Sequence, residues 1–295
     1  MKHFIGSYSL PEVVYHKPRT LEEALVLLSD HAGNCQLVAG CTDFIPQVRR
    51  GKLVLTEGVN IIDISGIEGL RTISDEKGLI TLGAAATFSS ILQSSLLRER
   101  GPLLAEVSAG IGSWQVRNAG TIGGNLCTAS PGADSACALL ALDARVLING
   151  LGYEKTIPLN DFFVGPGKTI LKTHEMVTRV QFVPMGPEEK CSWIKLGRRK
   201  AFTMPVISVA TRFRIADGRF DMIRIALGVA GPKPLRVKRA EDHLLGREAT
   251  IRVIEQAAEI VSNEVQPKSS FRASAEYRKD MAGALTRRAL ASSLS

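Results

Sequence analysis

The sequence predicts an α+β fold in two parts, and three observations carry that prediction. Up to the Pro184 to Pro187 stretch, short apolar strands alternate with short helices, without the regular long helices that cover a doubly wound parallel sheet. Beyond it the pattern changes to one long strand pair around Asp217-Gly218, followed by amphipathic helices. A length of 295 residues with 45% hydrophobic content can bury a sizeable core and favours about two domains. With the boundary in the proline-containing stretch, the expected domains are residues 1–186 and 187–295.

Pro18-Arg19-Thr20 leads into Leu21 to Leu28, where Thr20 and Glu23 have capping-box spacing and Leu21, Leu25 and Leu28 share a face, so a short helix starts there. Gly33-Asn34 ends it. Gln36 to Ala39 reads as a buried strand running straight into Gly40-Cys41-Thr42-Asp43, a small-residue turn at a strand end where backbone amides can meet a ligand. Val59 to Ile64 and Leu79 to Ala86 read as strands, Thr87 to Leu97 as a helix, and Pro102 suits the first turn of another helix over Leu103 to Ala109. After Asp134, the residues Ala136, Leu139 and Leu140 lie at helical spacing, and Ala144 to Ile148 returns to a strand. Val164 to Thr169 reads as a surface turn. Ile207 to Ile215 and Arg219 to Ala230 flank Asp217-Gly218, whose positive φ values close a hairpin. Helices are expected over Val237 to Leu245, Thr250 to Val265 and Ala275 to Leu290, the last capped by Ser274 and carrying Tyr277, Met281, Leu285 and Ala289 four residues apart.

Composition excludes several classes of function. The longest apolar run, Ala136 to Leu142, is far short of the roughly 18 residues of a membrane span. Met1 to Tyr8 shows neither a long apolar stretch nor a small-residue cleavage site, so a cytoplasmic protein without a membrane span is expected. Cys35, Cys41, Cys127, Cys137 and Cys191 are odd in number, scattered and without a C-x-x-C pair, which argues against a disulfide framework, a zinc site or an iron–sulfur cluster on this chain. They read as small apolar fillers, and no metal ligand is assigned. A net charge of +8 raises the question of nucleic acid, but Arg198-Arg199-Lys200, Lys238-Arg239 and Arg287-Arg288 carry no interleaved aromatics. Solvated faces or an acidic protein partner account for them.

The chemistry concentrates between Arg117 and Asp134, where four glycines, two threonines and two asparagines leave the backbone as the main chemical surface. Glycine admits positive φ and close approach, so successive N–H groups can converge on an anion such as a phosphate. Spacing excludes two common phosphate loops. Gly123-Gly124 is followed by Asn125-Leu126 and lacks the Lys-Ser/Thr of a P-loop; Gly167-Lys168-Thr169 has that ending, but Phe162 stands where the first glycine belongs. Gly110-Ile111-Gly112 lacks the third glycine of a dinucleotide fingerprint.

Taken together and in chain order, several segments closely resemble the flavin-binding subunits of the molybdenum hydroxylases, the family that includes xanthine dehydrogenase and carbon monoxide dehydrogenase. They are Leu37 to Asp43, Ile61-Ile62-Asp63-Ile64, Leu82-Gly83-Ala84, Arg117 to Asn125, Asp134, Trp193 to Arg199 and Ser274-Ala275-Glu276-Tyr277-Arg278. The resemblance covers nearly the whole length and implies a two-subdomain FAD-binding domain of the vanillyl-alcohol-oxidase-like (PCMH) kind, followed by a C-terminal domain of antiparallel sheet and helices. By similarity, Leu37, Val38, Ala39, Gly40, Cys41, Thr42, Asp43 and Phe44 supply amides and hydroxyls to the FAD pyrophosphate, together with Thr121, Ile122, Gly123, Gly124 and Asn125. Asp134 would suit ribose or ribityl hydroxyls, Lys195 would reach FAD from the second domain, and Val177 falls near an apolar contact position. The competing readings are a helix N-cap for Asp134 and a solvated strand lysine for Lys195. Cys41 stands where many relatives carry a second glycine, and a positive φ there would cost about 1 kcal/mol.

The resemblance further implies an electron-relay role. A large partner subunit with a molybdenum cofactor would oxidise substrate, a small partner subunit would relay electrons through two-iron two-sulfur clusters, and FAD on this chain would pass them to an acceptor such as NAD. No catalytic residue is assigned here. The chain lacks the cysteine-rich insertion of the aromatic-thioester reductase branch. Gly165 to Thr169 and Lys268 to Ser274 look most like bacterial xanthine dehydrogenase subunits, which suggests a purine or related N-heterocycle as substrate. The rivals are a stand-alone FAD-dependent oxidase or reductase of the same fold and a scaffold that has lost FAD. Dispersed histidines (His3, His16, His31, His174, His243) and a short second domain weigh against the first, and the intact glycine run weighs against the second.

Overall fold

The structure is a computed structural model that describes residues 11–199, 202–292 and Leu294. The chain start, His3 and Lys200 of the basic cluster lie outside the described residues. The first layer holds β1 (Val13–His16), α1 (Leu21–Asp30), β2 (Cys35–Val38), α2 (Phe44–Arg49) and β3 (Val59–Asp63). The strands form a parallel sheet in the order β1-β3-β2. α1 starts where the capping pattern places it: the Glu23 amide donates to Thr20 Oγ1 at 3.1 Å, and the Glu23 carboxylate accepts from the Arg19 amide at 2.8 Å. Its buried Ala24, Leu25 and Leu28 pack with Ile62 and Ile64 of and beyond β3.

The next layer begins with β4 (Ile73–Glu76) and β5 (Leu79–Gly83). Six short helices follow: α3 (Phe88–Gln93), α4 (Ser95–Arg100), α5 (Pro102–Ala109), α6 (Trp114–Ala119), α7 (Ile122–Cys127) and α8 (Asp134–Ala141). Then come β6 (Arg145–Gly150), β7 (Tyr153–Pro158), α9 (Leu159–Phe162), β8 (Phe163–Gly165), β9 (Lys168–Thr169) and β10 (Met176–Phe182). The antiparallel sheet runs β4-β5-β10-β6-β7, so the last strand in sequence occupies its centre. Several expectations are corrected here. The strand expected to reach Ala86 ends at Gly83, whose Cβ would meet the Leu70 carbonyl oxygen at 2.2 Å. The helix expected over Thr87 to Leu97 is split at Ser94, which ends α3 and whose hydroxyl accepts from the Leu97 amide to start α4. The Val164 to Thr169 turn is a strand pair, β8 with β9, turning at Gly167 with φ of 70°.

Between Phe182 and Glu189 the chain enters a second antiparallel sheet of β11 (Glu189–Gly197), β12 (Pro205–Ala216), β13 (Arg219–Gly228) and β14 (Leu235–Arg236). Asp217 and Gly218 have φ of 49° and 72°, the pair of positive values the hairpin requires. α10 (Lys238–Leu244), α11 (Ile251–Glu264) and α12 (Ala275–Ala291) cover this sheet, and Ser274 caps α12 by accepting from the Tyr277 amide. The α12 face that is buried runs through Arg278, Ala282, Leu285, Thr286 and Ala289, while Tyr277 is exposed.

α8 joins the two parts. All eight of its residues are buried, and it packs on both β12 and β13, so Ala210 and Ala226 belong to the same core as Leu139 and Val180. Cys137 donates to the Ala226 carbonyl, and burial pushes its thiol up to about 12, which suits a core filler. Arg212 adds a polar clamp: its guanidinium donates to the Val183 and Pro184 carbonyls, both at 3.1 Å, and pairs with Glu189.

Candidate functional site

β2 delivers Ala39 to Asp43 to the edge of a cleft of about 930 Å³. Gly40 is required there by contact. A Cβ on it would lie 1.7 Å from the Ala119 carbonyl oxygen, and one on Gly120 would meet Thr42 Oγ1 at 3.2 Å, so the two small-residue loops touch backbone to backbone. Asp43 ties them further by accepting from the Thr128 hydroxyl at 3.1 Å. Cys41 has a φ of 54°, so the loop keeps a glycine-type conformation with a side chain in it, at a cost of about 1 kcal/mol. Among the described residues, the amides of Cys41, Thr42, Asp43 and Phe44 donate to no protein acceptor, while those of Ile45 and Gln47 already close onto Cys41 and Asp43. Four successive free N–H groups beside a cleft make a ready anion site.

The second loop behaves differently from expectation. Gly123 and Gly124 do not have positive φ; they lie in the first turn of α7, capped by Thr121. Every amide of that turn is used within the protein. Ile122 donates to the Ala86 carbonyl and Gly123 to that of Ala84, each at 2.9 Å, Gly124 to Thr121 Oγ1 at 3.1 Å, and Asn125 to the Thr121 carbonyl at 3.0 Å. The convergence of amides expected in this loop is therefore absent at residues 122–125, because the Ala84 and Ala86 carbonyls and the Thr121 cap consume them. Gly123 is buried for packing: its Cβ would lie 2.6 Å from Ala84 Cβ. This loop presents side chains instead, and Asn125 is oriented by accepting from the Ser135 hydroxyl at 2.6 Å.

At the cleft floor the two parts of the chain meet in a buried ion pair. Lys195, on β11, donates to Asp134 Oδ2 at 2.6 Å and to the Gly110 carbonyl at 3.2 Å. The two side chains are 10% and 7% exposed, which removes the solvated-lysine reading. Asp134 is not a cap either: Ala133 holds the N-cap position of α8. Burial pushes the Asp134 carboxyl up, against the opposing pull of the Lys195 charge and hydrogen bond. Its Oδ1 is buried with no hydrogen-bond partner. A buried carboxylate oxygen without a donor is costly, and a ligand hydroxyl would satisfy it.

Leu37, Val38, Ala39, Gly40, Cys41, Thr42, Asp43, Phe44, Thr121, Gly124, Asn125, Asp134 and Lys195 all line the cleft. Ile122, Gly123 and Val177 are not among its lining: Ile122 and Gly123 are the buried side of α7, and Val177 is 3% exposed, opposite Ile148 in the five-stranded sheet. The second part contributes further walls that sequence reasoning did not assign, Arg198, Arg199, Phe202, Met204, Phe271 and Arg272. Arg198 and Arg199 stood in a noted basic cluster and Arg272 in the Lys268 to Ser274 segment, but nothing local to them indicates a shared cleft. Among the described residues no group of His, Cys, Asp and Glu could hold a metal ion, and no helix is long and apolar enough to cross a membrane. Free amides at one end, an orphaned carboxylate oxygen on the floor and aromatic walls together fit an extended ligand that carries both phosphate and hydroxyl groups, as FAD does.

Two family descriptions match the chain: "FAD binding domain in molybdopterin dehydrogenase" over residues 8–185 and "CO dehydrogenase flavoprotein C-terminal domain" over residues 192–293. It is 32% identical over 278 residues to the xanthine dehydrogenase FAD-binding subunit of Escherichia coli O157:H7, covering 94% of each chain. Its structure is similar to that of a carbon monoxide dehydrogenase from Hydrogenophaga pseudoflava lacking the Mo-pyranopterin moiety of the molybdenum cofactor, with a TM-score of 0.91 at 30% identity over 96% of this chain and 97% of that one. It is also similar to quinoline 2-oxidoreductase from Pseudomonas putida 86, with a TM-score of 0.88 at 26% identity over 96% and 97% of the two chains.

Proposed function

The chain belongs to the family of FAD-binding subunits of the molybdopterin dehydrogenases, and from that premise we propose how its cleft holds the cofactor and where its electrons go. It is the FAD-binding subunit of an oxidoreductase. The observation that carries the site assignment is the row of free amides from Cys41 to Phe44 in the same cleft as the Asp134–Lys195 pair. The amides take the FAD pyrophosphate, Thr42 and Thr121 add hydroxyls, Asn125 adds its side-chain amide, and Asp134 Oδ1 takes a hydroxyl of the ribityl or ribose. Lys195 holds Asp134 in place and closes the second domain over the ligand. Residues 1–186 are the FAD-binding domain and residues 187–295 the C-terminal domain, a division supported by the change of sheet between Phe182 and Glu189. Bound FAD supplies electron transfer; the chain's own residues bind it, orient it and exclude water from the buried pair.

The partners are a large subunit with the molybdenum cofactor and a small subunit with two-iron two-sulfur clusters, working in the cytoplasm. The substrate of the complex is xanthine or a related N-heterocycle, and NAD is the acceptor, a reading supported by the likeness to the Escherichia coli subunit. The isolated chain is expected to bind one FAD and to oxidise no xanthine, and reconstitution with both partners is expected to restore xanthine-dependent NAD reduction. Xanthine oxidation by this polypeptide alone would contradict the relay role and favour a stand-alone flavoenzyme.

A further inference from the structure

Behind the cleft wall formed by Phe271 and Arg272, the second domain buries a cation that pairs with no carboxylate among the described residues. Arg278, in the first turn of α12, is 4% exposed, and its Nη2 donates to Ser270 Oγ at 2.7 Å. Its buried Nε has no acceptor. Among the described residues no carboxylate pairs with it. The neighbouring charge is another guanidinium, Arg272, and burial together with that like charge pushes Arg278 below its ordinary value. The domain's comparable guanidiniums are neutralised: Arg212 pairs with Glu189, and Arg236 with Glu241 and Asp143. A buried cation without a counter-charge is costly, so Arg278 is poised for an anion.

The helix N-terminus is not the attraction, since the Ala275 and Tyr277 amides already donate to Ser269 and Ser274. The donors are side chains. Ser270 Oγ accepts from both Arg278 and the Arg272 amide, which leaves its own proton to give. Two guanidiniums and a hydroxyl match a dianionic phosphate, whereas a single carboxylate would leave one positive charge uncompensated. Phe271 and Arg272 line the cleft, and Phe271 is 78% exposed with the Arg272 guanidinium 4.4 Å from its ring centroid. An exposed flat aromatic beside a phosphate site suits a base.

We propose that Arg272, Arg278 and Ser270 form a second phosphate site at the cleft rim, separate from the Cys41 to Phe44 amides, and that it holds a phosphate of a nucleotide electron acceptor. This rests on the reading of the cleft as the FAD site. The test titrates the full chain, loaded with FAD, with inorganic phosphate and with ADP at constant ionic strength by calorimetry. One phosphate per chain is expected, with ADP binding at least tenfold tighter and competing with it. Arg272→Gln should weaken both by about tenfold and Arg278→Gln by more, each titrated after FAD loading has been measured and the protein saturated with FAD. If Arg278→Gln does not fold, Arg272→Gln together with Ser270→Ala carries the test. Failure of the chain to load FAD would overturn the function proposed above. Normal FAD loading with no phosphate binding, or with binding that Arg272→Gln leaves intact, would overturn this site alone, and phosphate binding without ADP binding would overturn the nucleotide assignment.

Discussion

The loops at Gly40 to Phe44 and Thr121 to Asn125 lean on one another, yet they spend their backbones in opposite ways. In the first, four amides stay free and one residue, Cys41, is held at positive φ. In the second, the amides of residues 122–125 are all consumed by Ala84, Ala86 and the Thr121 cap. Both are glycine-containing, but glycine serves close approach in each: Gly40 against Ala119, and Gly123 against Ala84. The difference shows that a glycine-rich run signals tight backbone packing before it signals a ligand, and that amides stay free for an anion where no strand or cap has claimed them.

The largest effect should come from the contact between the loops. Gly40→Ala puts a methyl where the Ala119 carbonyl oxygen lies 1.7 Å away, so it should cost about 3 kcal/mol in denaturant unfolding and abolish FAD loading. Gly124→Ala is the counterpart, because that position is exposed and meets only Thr121 Oγ1 at 2.9 Å; it should cost under about 1 kcal/mol and reduce FAD affinity without unfolding the chain. Equal losses from the two would erase the distinction drawn between the loops.

Next in size is Lys195→Met, which leaves Asp134 buried without its cation. The expected loss is about 2 kcal/mol, lower than for a fully enclosed pair because the cleft admits water. The deficit should shrink as pH falls, since a protonated Asp134 no longer needs the ammonium. A deficit that grows in acid would refute the pairing.

Glu175 tests the other side of the comparison, stability without the cofactor. Burial alone would raise its carboxyl, but hydrogen bonds from Lys155, the Lys172 amide and Tyr153, with the Lys155 charge, outweigh burial and hold it at about 2. A folded value below the unfolded one means the stability it adds is full above its ordinary value of 4.5 and is lost as pH falls toward about 2. Glu175→Gln should therefore destabilise by about 2 kcal/mol at neutral pH, converge with the parent near pH 2, and leave FAD affinity unchanged. Unfolding curves across pH with parallel FAD titrations check both halves.

Much of this was legible in local sequence. Asp217-Gly218 dictated the hairpin, Thr20 and Glu23 the start of α1, and Ser274 the start of α12, because each signal acts within four residues. The turn at Gly40 to Asp43 was legible as a strand ending in small residues, whereas its assignment to FAD came from the family resemblance. α7 carries a local signal, a Thr121 cap with Ile122 and Leu126 four apart and buried, but Gly123 and Gly124 in its first turn have low helix propensity and make the same stretch read as a loop. The central place of β10 and the walls from Arg198 and Phe271 were not legible, since both depend on contacts between residues far apart in the chain.

The smallest effect is expected at Cys41. Replacement by glycine relieves about 1 kcal/mol of left-handed strain but returns freedom to the unfolded chain, so Cys41→Gly should change stability by less than about 1 kcal/mol and retain FAD.

The central claim, that the free amides of the first loop hold the FAD pyrophosphate, is tested most directly by hydrogen exchange of the full chain with and without FAD. Exchange at Cys41 to Phe44 should be fast without the cofactor and slow by at least tenfold with it, while amides 122–125 should be protected in both states. New protection at 122–125 with none at 41–44 would contradict the account.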